Sequence, residues 1–458
     1  MATQLSIPKL RKTFKHVISP KDADYDKART VLPGDIDRRP AVIIKVTNAN
    51  EAAQVIALAK ETGLALAVRS GGHSVHSVVD DGIVLDLSLL KNIEMDAQEK
   101  TVWAEAGLTA IELTSATLEH GLVVGFGDTG SVGIGGITLG GGVGYLVRKH
   151  GLTIDHLLAA EIVTADGNIL QIDKTNHADL FWAIRGGGGN FGVVTKFKFQ
   201  LQDLTQAYGG MLCLPATPQT IASFVSAADS APEALSTIAN VMTAPPMPFL
   251  AEEYHGKIII LAMLCYTGDP ADAEKVIQPF RNIAAPLADM LHPMGYAEMF
   301  PPDDSDYHPL AVSTNMHLDY VDESVAQTML THLQKSTGMM AVTQLRVLGG
   351  AMARVPADAT AYAHRQSKVM ANLAVIYQDP NEKPQHEQWA HEYKQTIAQS
   401  DKGEYVNFIN TVGAKELEAA YPASTLGRLR QVKAQYDPTN LFKINQNILG
   451  SPVSGGRT

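Results

Sequence analysis

The sequence carries only two cysteines, Cys213 and Cys265, in 458 residues. Two thiols cannot build a disulfide framework or a multi-cysteine metal site. No run of about 20 apolar residues is present, so no segment reads as a membrane-spanning helix. There is no long basic tract, and the net charge is −11. That balance argues against nucleic acid and against an anionic membrane surface as partners. The opening segment MATQLSIPKLRKTFKHV has basic residues but lacks the apolar core of a secretory signal. A cytoplasmic protein is the expectation. No internal repeat is found, and nothing in the pattern sets an oligomeric state.

What is present is an ordinary globular composition, 45% hydrophobic and 19% charged. The length suggests two to four domains at about 150 residues each and allows a large core. Residues 41–68 alternate: AVIIKV reads as a strand, NANEAAQVIALAKETG as a helix capped by Asn48 or Asn50 and closed by Gly63, and LALAVRS as a second strand. No glycine-rich loop follows the first strand, which excludes a Rossmann dinucleotide site there. GIVLDLSLL and KTVWAEAG read as strands, TAIELTSATLEHG as a helix, and LLAAEIVTADGNILQID as a hairpin turning at Asp166-Gly167. Residues 206–404 alternate strands and amphipathic helices between proline-rich turns. GRLRQVKAQYDPTNLFKINQNI reads as a helix, a stop at Tyr-Asp-Pro and an extended tail.

Three glycine-rich places stand out. In residues 125–144, GFGDTGSVGIGGITLGGGVG, ten of twenty residues are glycine, enough for backbone amides to wrap a diphosphate. The alternative, a flexible linker, fits poorly with the interleaved Val132, Ile134, Ile137, Leu139 and Val143. RGGGGNFG (185–192) contains a GxGxxG-like spacing, but it follows a helix and precedes a strand, the reverse of the Rossmann order. RSGGHS (69–74) ends a strand with two glycines and a histidine. A lone histidine is ordinarily a satisfied core or loop residue; the context here changes that.

RSGGHS (69–74), GDTGSVGIGGITLGGGVG (127–144), RKHGL (148–152), DLFWAIRGGGGNFGVVT (179–195) and YDPTNLFKINQNI (436–448) occur in an order and spacing that resemble the vanillyl-alcohol-oxidase/p-cresol-methylhydroxylase type of FAD-binding flavoprotein, in its berberine-bridge-enzyme-like branch. The resemblance covers roughly 1–205 and 405–458. It implies an α+β fold: a two-part FAD-binding domain from both chain ends (1–205 and 405–458), with an inserted sheet-plus-helices substrate domain (206–404). It also implies FAD bonded covalently, through its 8α-methyl carbon, to His73. Arg69, Ser70, Gly71, Gly72 and Ser74 would hold the diphosphate and ring edge. From the long glycine run, Gly130, Gly133, Gly135, Gly136, Gly140 and Gly142 would join them. Gly192, Val194, Asn445 and Asn447 complete the expected cofactor set.

Four positions set against the family pattern shape the expected chemistry. Thr129 stands where many relatives carry a second, cysteinyl tether, which leaves His73 as the single bond. Val132 stands where a small branched residue accompanies oxygen reactivity and leucine accompanies dehydrogenase behaviour. Alcohol-oxidising relatives carry one tyrosine in GGGYG and another in an N-Y-x-R motif; those positions are read here as Val143 and Leu426. A missing phenol favours an amine-type substrate, because a neutral amine releases hydride without a base to take a hydroxyl proton. Asn372, Tyr377 and Gln446 are the candidate catalytic residues, with Tyr405, Asn407 and Asn410 behind them.

The expectation is an FAD-dependent oxidase that passes hydride to flavin N5 and electrons to O2, giving hydrogen peroxide. An alcohol or sugar oxidase, a dehydrogenase, and a biosynthetic oxidative cyclase use the same fold and stay open. So does a flavoprotein without redox function. The histidines show no paired spacing that suggests a metal.

Overall fold

The computed structural model describes residues 5–302, 304, 306–411 and 413–449. The first lobe begins with a four-stranded sheet. Val42–Lys45 and Leu66–Arg69 both run parallel to Ile83–Asp86 between them, and His16–Ile18 pairs on the outer edge. Between the parallel strands lies the helix Ala49–Thr62. The Asn48 side chain accepts the Glu51 N–H at its start, and Gly63 ends it at φ +70°. Its inner face, Ala52, Val55, Ile56 and Ala59, is fully buried. A second, five-stranded antiparallel sheet is ordered Ile93–Asp96, Thr101–Glu105, Val193–Gln200, Leu157–Val163, Ile169–Asp173. Its last hairpin turns at Gly167, φ +86°.

The long glycine run differs from its reading as an open anion-binding loop. Its middle forms the helix Ile134–Gly140. Glycine is a poor helix former, so sequence propensity gave no sign of it. The interleaved apolar residues decide the outcome: Ile134 is fully buried, and Ile137 and Leu139 pack on the same core.

The second lobe is an eight-stranded antiparallel sheet. Its long strands are Ala207–Pro215, Ile258–Tyr266, Leu235–Thr243, Met340–Val347, Val369–Tyr377 and Leu310–Leu318, in that spatial order. Alternate residues point to opposite faces of a sheet. One face, including Leu345, Leu373 and Tyr377, packs in a core with the helices Pro218–Ser230, Glu323–Lys335 and Lys383–Ile397. The opposite face, carrying Gln344, Arg346 and Asn372, looks toward the first lobe. Both cysteines lie in this sheet, buried and unbonded, with burial pushing the Cys213 thiol up to about 11 and the Cys265 thiol up to about 12. Neither is a reactive thiol.

The chain then returns to the first lobe. The helix Ala423–Tyr436 places Leu426, Leu429 and Val432 in the same apolar core as Val55 and Ile134, so both ends of the chain build one body. Its last turn holds the wholly buried pair Lys433–Asp437, 2.6 Å apart. Lys433 also donates to the carbonyls of Asn190 (2.7 Å) and Phe442 (2.9 Å). Asp437 accepts the N–H groups of Leu441 and Phe442. Asp437→Ala strands a buried ammonium and is expected to cost about 3–5 kcal/mol. In urea unfolding, the Lys433→Met/Asp437→Leu double variant should lose much less than the single one. Equal losses would show that the pair is not the anchor.

Candidate cofactor and substrate site

Between the lobes lies a cavity of about 1310 Å³. A single small-molecule pocket is usually about 300–1,000 Å³, so this one has room for a large cofactor and a substrate together. The turn after strand Leu66–Arg69 forms one wall. Ser70 donates its hydroxyl to the Ala106 carbonyl at 2.6 Å, and Gly72 turns the chain at φ +76°. A Cβ on Gly71 would lie 2.3 Å from the Gly133 nitrogen, and a Cβ on Gly133 would lie 2.3 Å from the Gly71 nitrogen. The two loops therefore meet backbone to backbone. Their contact leaves His73 on the cavity wall, its Nε2 3.2 Å from the Ser131 hydroxyl.

Most of the expected cofactor residues gather here. Ser70, Gly71, Gly72, His73 and Ser74 line the cavity, as do Thr129, Val132, Gly133, Gly135 and Gly136. Gly192, Val194 and Asn445 do so from the opposite side. Five do not. Arg69 turns away and donates to the Ala28 carbonyl at 2.7 Å, with burial pulling its guanidinium below the ordinary value. Gly130 packs on Ile111 and Phe300, and Gly140 is bare because the Asn407 amide occupies its Cβ position, 2.0 Å from Oδ1. Gly142 leaves room for Thr153. Asn447 shapes the tail, its backbone N–H bonding to the Asn445 carbonyl. These five position the cradle instead of lining it.

Of the three candidate catalytic residues, Asn372 and Gln446 line the cavity and Tyr377 does not. Tyr377 lies five positions beyond Asn372 on one strand and so points to the other face. There its ring packs against His386, centroids 4.9 Å apart. Leu426, read as the second missing phenol, is likewise buried in the first-lobe core. The segment that reaches the cavity is Tyr405–Asn407–Phe408, whose asparagine is followed by an aromatic ring without a hydroxyl. The Tyr405 hydroxyl accepts the Gly142 N–H at 3.0 Å and the Asn407 amide at 2.8 Å. It pins the loop of Val143. Burial raises it above the ordinary phenol value despite those donors.

The sheet face over the cavity carries a polar row of which the sequence singles out only Asn372. Asn240, Gln344, Asn372 and Asn315 stand opposite one another on four adjacent strands. Gln344 donates to Asn240 at 3.0 Å and accepts from Arg346. Arg346 also pairs with Asp128 of the glycine-rich loop at 2.7 Å, joining the lobes. Its Nη1 and the Asn372 Oδ1 are buried without partners. Asn445 and Gln446, on the tail, also leave carbonyl oxygens unpaired. Unpaired buried polar atoms on a cavity wall are what a bound polar ligand satisfies, so these residues fit a polar dinucleotide.

The comparisons agree. Residues 40–173 match the FAD binding domain family, and residues 404–449 match the family described as berberine and berberine like. The chain is an FAD-linked oxidoreductase of the berberine-bridge-enzyme-like kind. It is 28% identical to the uncharacterized FAD-linked oxidoreductase YgaK of Bacillus subtilis, over 94% of this chain and 96% of that one. It is 26% identical to (R)-6-hydroxynicotine oxidase of Paenarthrobacter nicotinovorans, over 98% of both chains. The crystal structure of 6-hydroxy-D-nicotine oxidase from Arthrobacter nicotinovorans superimposes with a TM-score of 0.83 at 24% identity, covering 94% of this chain and 97% of that one, and shows the same fold.

The tail of this oxidoreductase is also tied to the cavity through His76. Its Nε2 lies 3.3 Å from the Gln446 side-chain nitrogen, which donates, so the imidazole is neutral there. Burial first, and Arg38 second, lower His76 to about 4. An unfolded histidine titrates near 6.5. Above that pH neither state binds the proton, and the stability is complete. Between about 6.5 and about 4 only the unfolded chain binds it, so stability falls by about 1–3 kcal/mol. Urea midpoints at pH 7.5 and 4.5 should show this loss, and His76→Gln should remove that share. A variant whose midpoint falls as steeply as wild type would overturn the assignment.

Proposed function

We propose that this oxidoreductase is an oxidase, carrying FAD on a single bond from His73 and acting on a small amine-type substrate. The observation that carries the reading is the make-up of the cavity wall. It offers His73 beside a backbone-on-backbone glycine contact, Thr129 in place of a thiol, and no phenol at Val143 or Phe408. When bound, FAD would take hydride from a substrate C–H and return the electrons to O2 as hydrogen peroxide.

The residues supply binding and exclusion of water. Arg346 Nη1 and Asn372 Oδ1 offer one donor and one acceptor to a substrate bearing both. Asp128 balances the Arg346 charge, so the wall does not repel an amine outright. The Tyr405 hydroxyl is engaged by two N–H donors. Glu404 is held by Lys394, burial raising its carboxyl while Lys394 opposes. With Tyr405 and Glu404 so engaged, this part of the wall suits a neutral amine better than an alcohol, whose hydroxyl proton must be taken. The relative that oxidises 6-hydroxynicotine points the same way. Val132, half-buried on the wall, leaves space for O2 that a leucine would fill.

Acid precipitation tests the tether: yellow colour should stay in the wild-type pellet and leave that of His73→Ala. Release of colour from the wild type would sink the covalent reading. For oxygen, the dithionite-reduced protein should reoxidise in air within seconds and release peroxide. Val132→Leu should slow this at least about tenfold, the scale of one added methylene in a packed site. A wild type inert to air would favour a dehydrogenase.

A further inference from the structure

Away from the glycine cradle, three metal-ligating side chains from distant parts of the chain meet. His317 comes from the edge strand Leu310–Leu318. His364 precedes the strand Val369–Tyr377, and Asp401 follows the helix Lys383–Ile397. One ligand atom from each lies within 4.8 Å of the others.

The surroundings are arranged as a ligand site. His317 is 0% exposed, and neither ring nitrogen has a hydrogen-bond partner. Leaving such a group unpaired costs about 1–3 kcal/mol. The other two are held from behind. His364 Nε2 lies 2.9 Å from the Ala420 carbonyl, which fixes its N–H there and leaves the Nδ1 lone pair facing inward. Asp401 accepts the Ser367 hydroxyl at 2.6 Å and the Gly403 N–H at 2.8 Å. Metal-bound histidines and carboxylates are ordinarily supported by such outer partners. Gly403 packs its backbone against both rings. A Cβ there would lie 2.3 Å from His364 Nδ1 and 2.9 Å from His317 Nδ1.

We propose that His317, His364 and Asp401 form a binding site for a divalent metal of the zinc type. Two imidazole nitrogens and one carboxylate oxygen would be its protein ligands, with water in the fourth position. Two imidazoles select zinc, cobalt, nickel or copper over magnesium or calcium, which prefer all-oxygen sites. Zinc bonds of about 2.0–2.2 Å put tetrahedral ligand atoms about 3.3–3.5 Å apart, so a cluster whose atoms lie within 4.8 Å of one another closes by at most about 1.5 Å on binding. The role follows from place. Gly403 leads directly into Glu404 and Tyr405, and Tyr405 holds Gly142 of the cavity loop. A metal here fastens that segment to the sheet edge and fixes the wall of the site. It is a structural clasp and takes no part in hydride transfer.

The test uses the untagged, flavin-loaded protein, dialysed against a chelator and then exposed to Zn2+ or Co2+. After gel filtration, elemental analysis should find one equivalent of zinc in wild type and less than a tenth of that in His317→Ala and in Asp401→Asn. Zinc should raise the thermal midpoint of wild type only. Co2+ should give wild type a ligand-field absorption at longer wavelength than the flavin band. Should His317→Ala fail to fold, Asp401→Asn and the cobalt spectrum decide. No stoichiometric zinc in wild type, or equal zinc in all three proteins, would overturn the proposal and leave a His–His–Asp cluster without metal.

Discussion

The ammonium of Lys433 is cut off from water, so every one of its three N–H groups must find a protein acceptor. It finds the Asn190 carbonyl, the Phe442 carbonyl and the Asp437 carboxylate. Those acceptors belong to a glycine-rich turn, the C-terminal tail and a helix end, which one charge therefore holds in register. The constraint passes outward. Asn190 donates its side chain to the carbonyls of Gly187 and Gln446, and its own Oδ1 accepts from Ile448. Asn445 donates to Gly189. The tail that presents Asn445 and Gln446 to the cavity is thus set by a buried cation several residues behind it. Burial pulls Lys433 below the ordinary lysine value and Asp437 opposes it, the balance expected of a desolvated pair.

The same economy governs the glycines. Gly71 against Gly133, Gly140 against Asn407 and Gly186 against the Tyr362 backbone are close approaches between parts of the protein. A methyl group at Gly71 or Gly186 would push two backbone segments apart, and one at Gly140 would displace the Asn407 amide, because packed interiors leave no slack. The cradle is the shape left when these segments touch. Glycine density here marks close packing together with left-handed backbone at Gly72, Gly141, Gly142, Gly186 and Gly188, and not chain freedom.

Much of this was legible in the residues. Asn48 and Gly63 bracket their helix because a cap needs a side-chain acceptor and a left-handed exit. Asp166-Gly167 turns its hairpin for the same conformational reason. The motifs around His73 and the tail point to FAD by their residues alone. Other features were hidden by their physics. The helix Ile134–Gly140 forms against propensity, carried by burial of Ile134. Leu426 matches a cavity position by local pattern alone, but the inward stripe of its helix, Leu426, Leu429 and Val432, belongs to the core. Arg346 and Asp128 lie far apart in sequence, and only the closing of the two lobes brings their charges together.

Strand parity separates the remaining candidates. Asn372 and Tyr377 sit on one strand, and an odd separation sends them to opposite faces whatever their chemistry. Parity also explains why specificity concentrates where it does. In an antiparallel sheet, residues in direct register share a face, so Asn240, Gln344, Asn372 and Asn315 form one continuous polar row in an otherwise apolar lobe. Such a row is costly unless its members satisfy one another. Most do: Asn240 and Gln344 bond together, and Asn315 holds the Tyr405 backbone. The donor on Arg346 and the acceptor on Asn372 are left over, and both lie on the wall of the cavity. A network that closes everywhere except toward an open space has its complement in whatever fills that space. An acceptor set against Arg346 and a donor set against Asn372, from cofactor or substrate, would complete it, a demand that apolar packing alone would not impose.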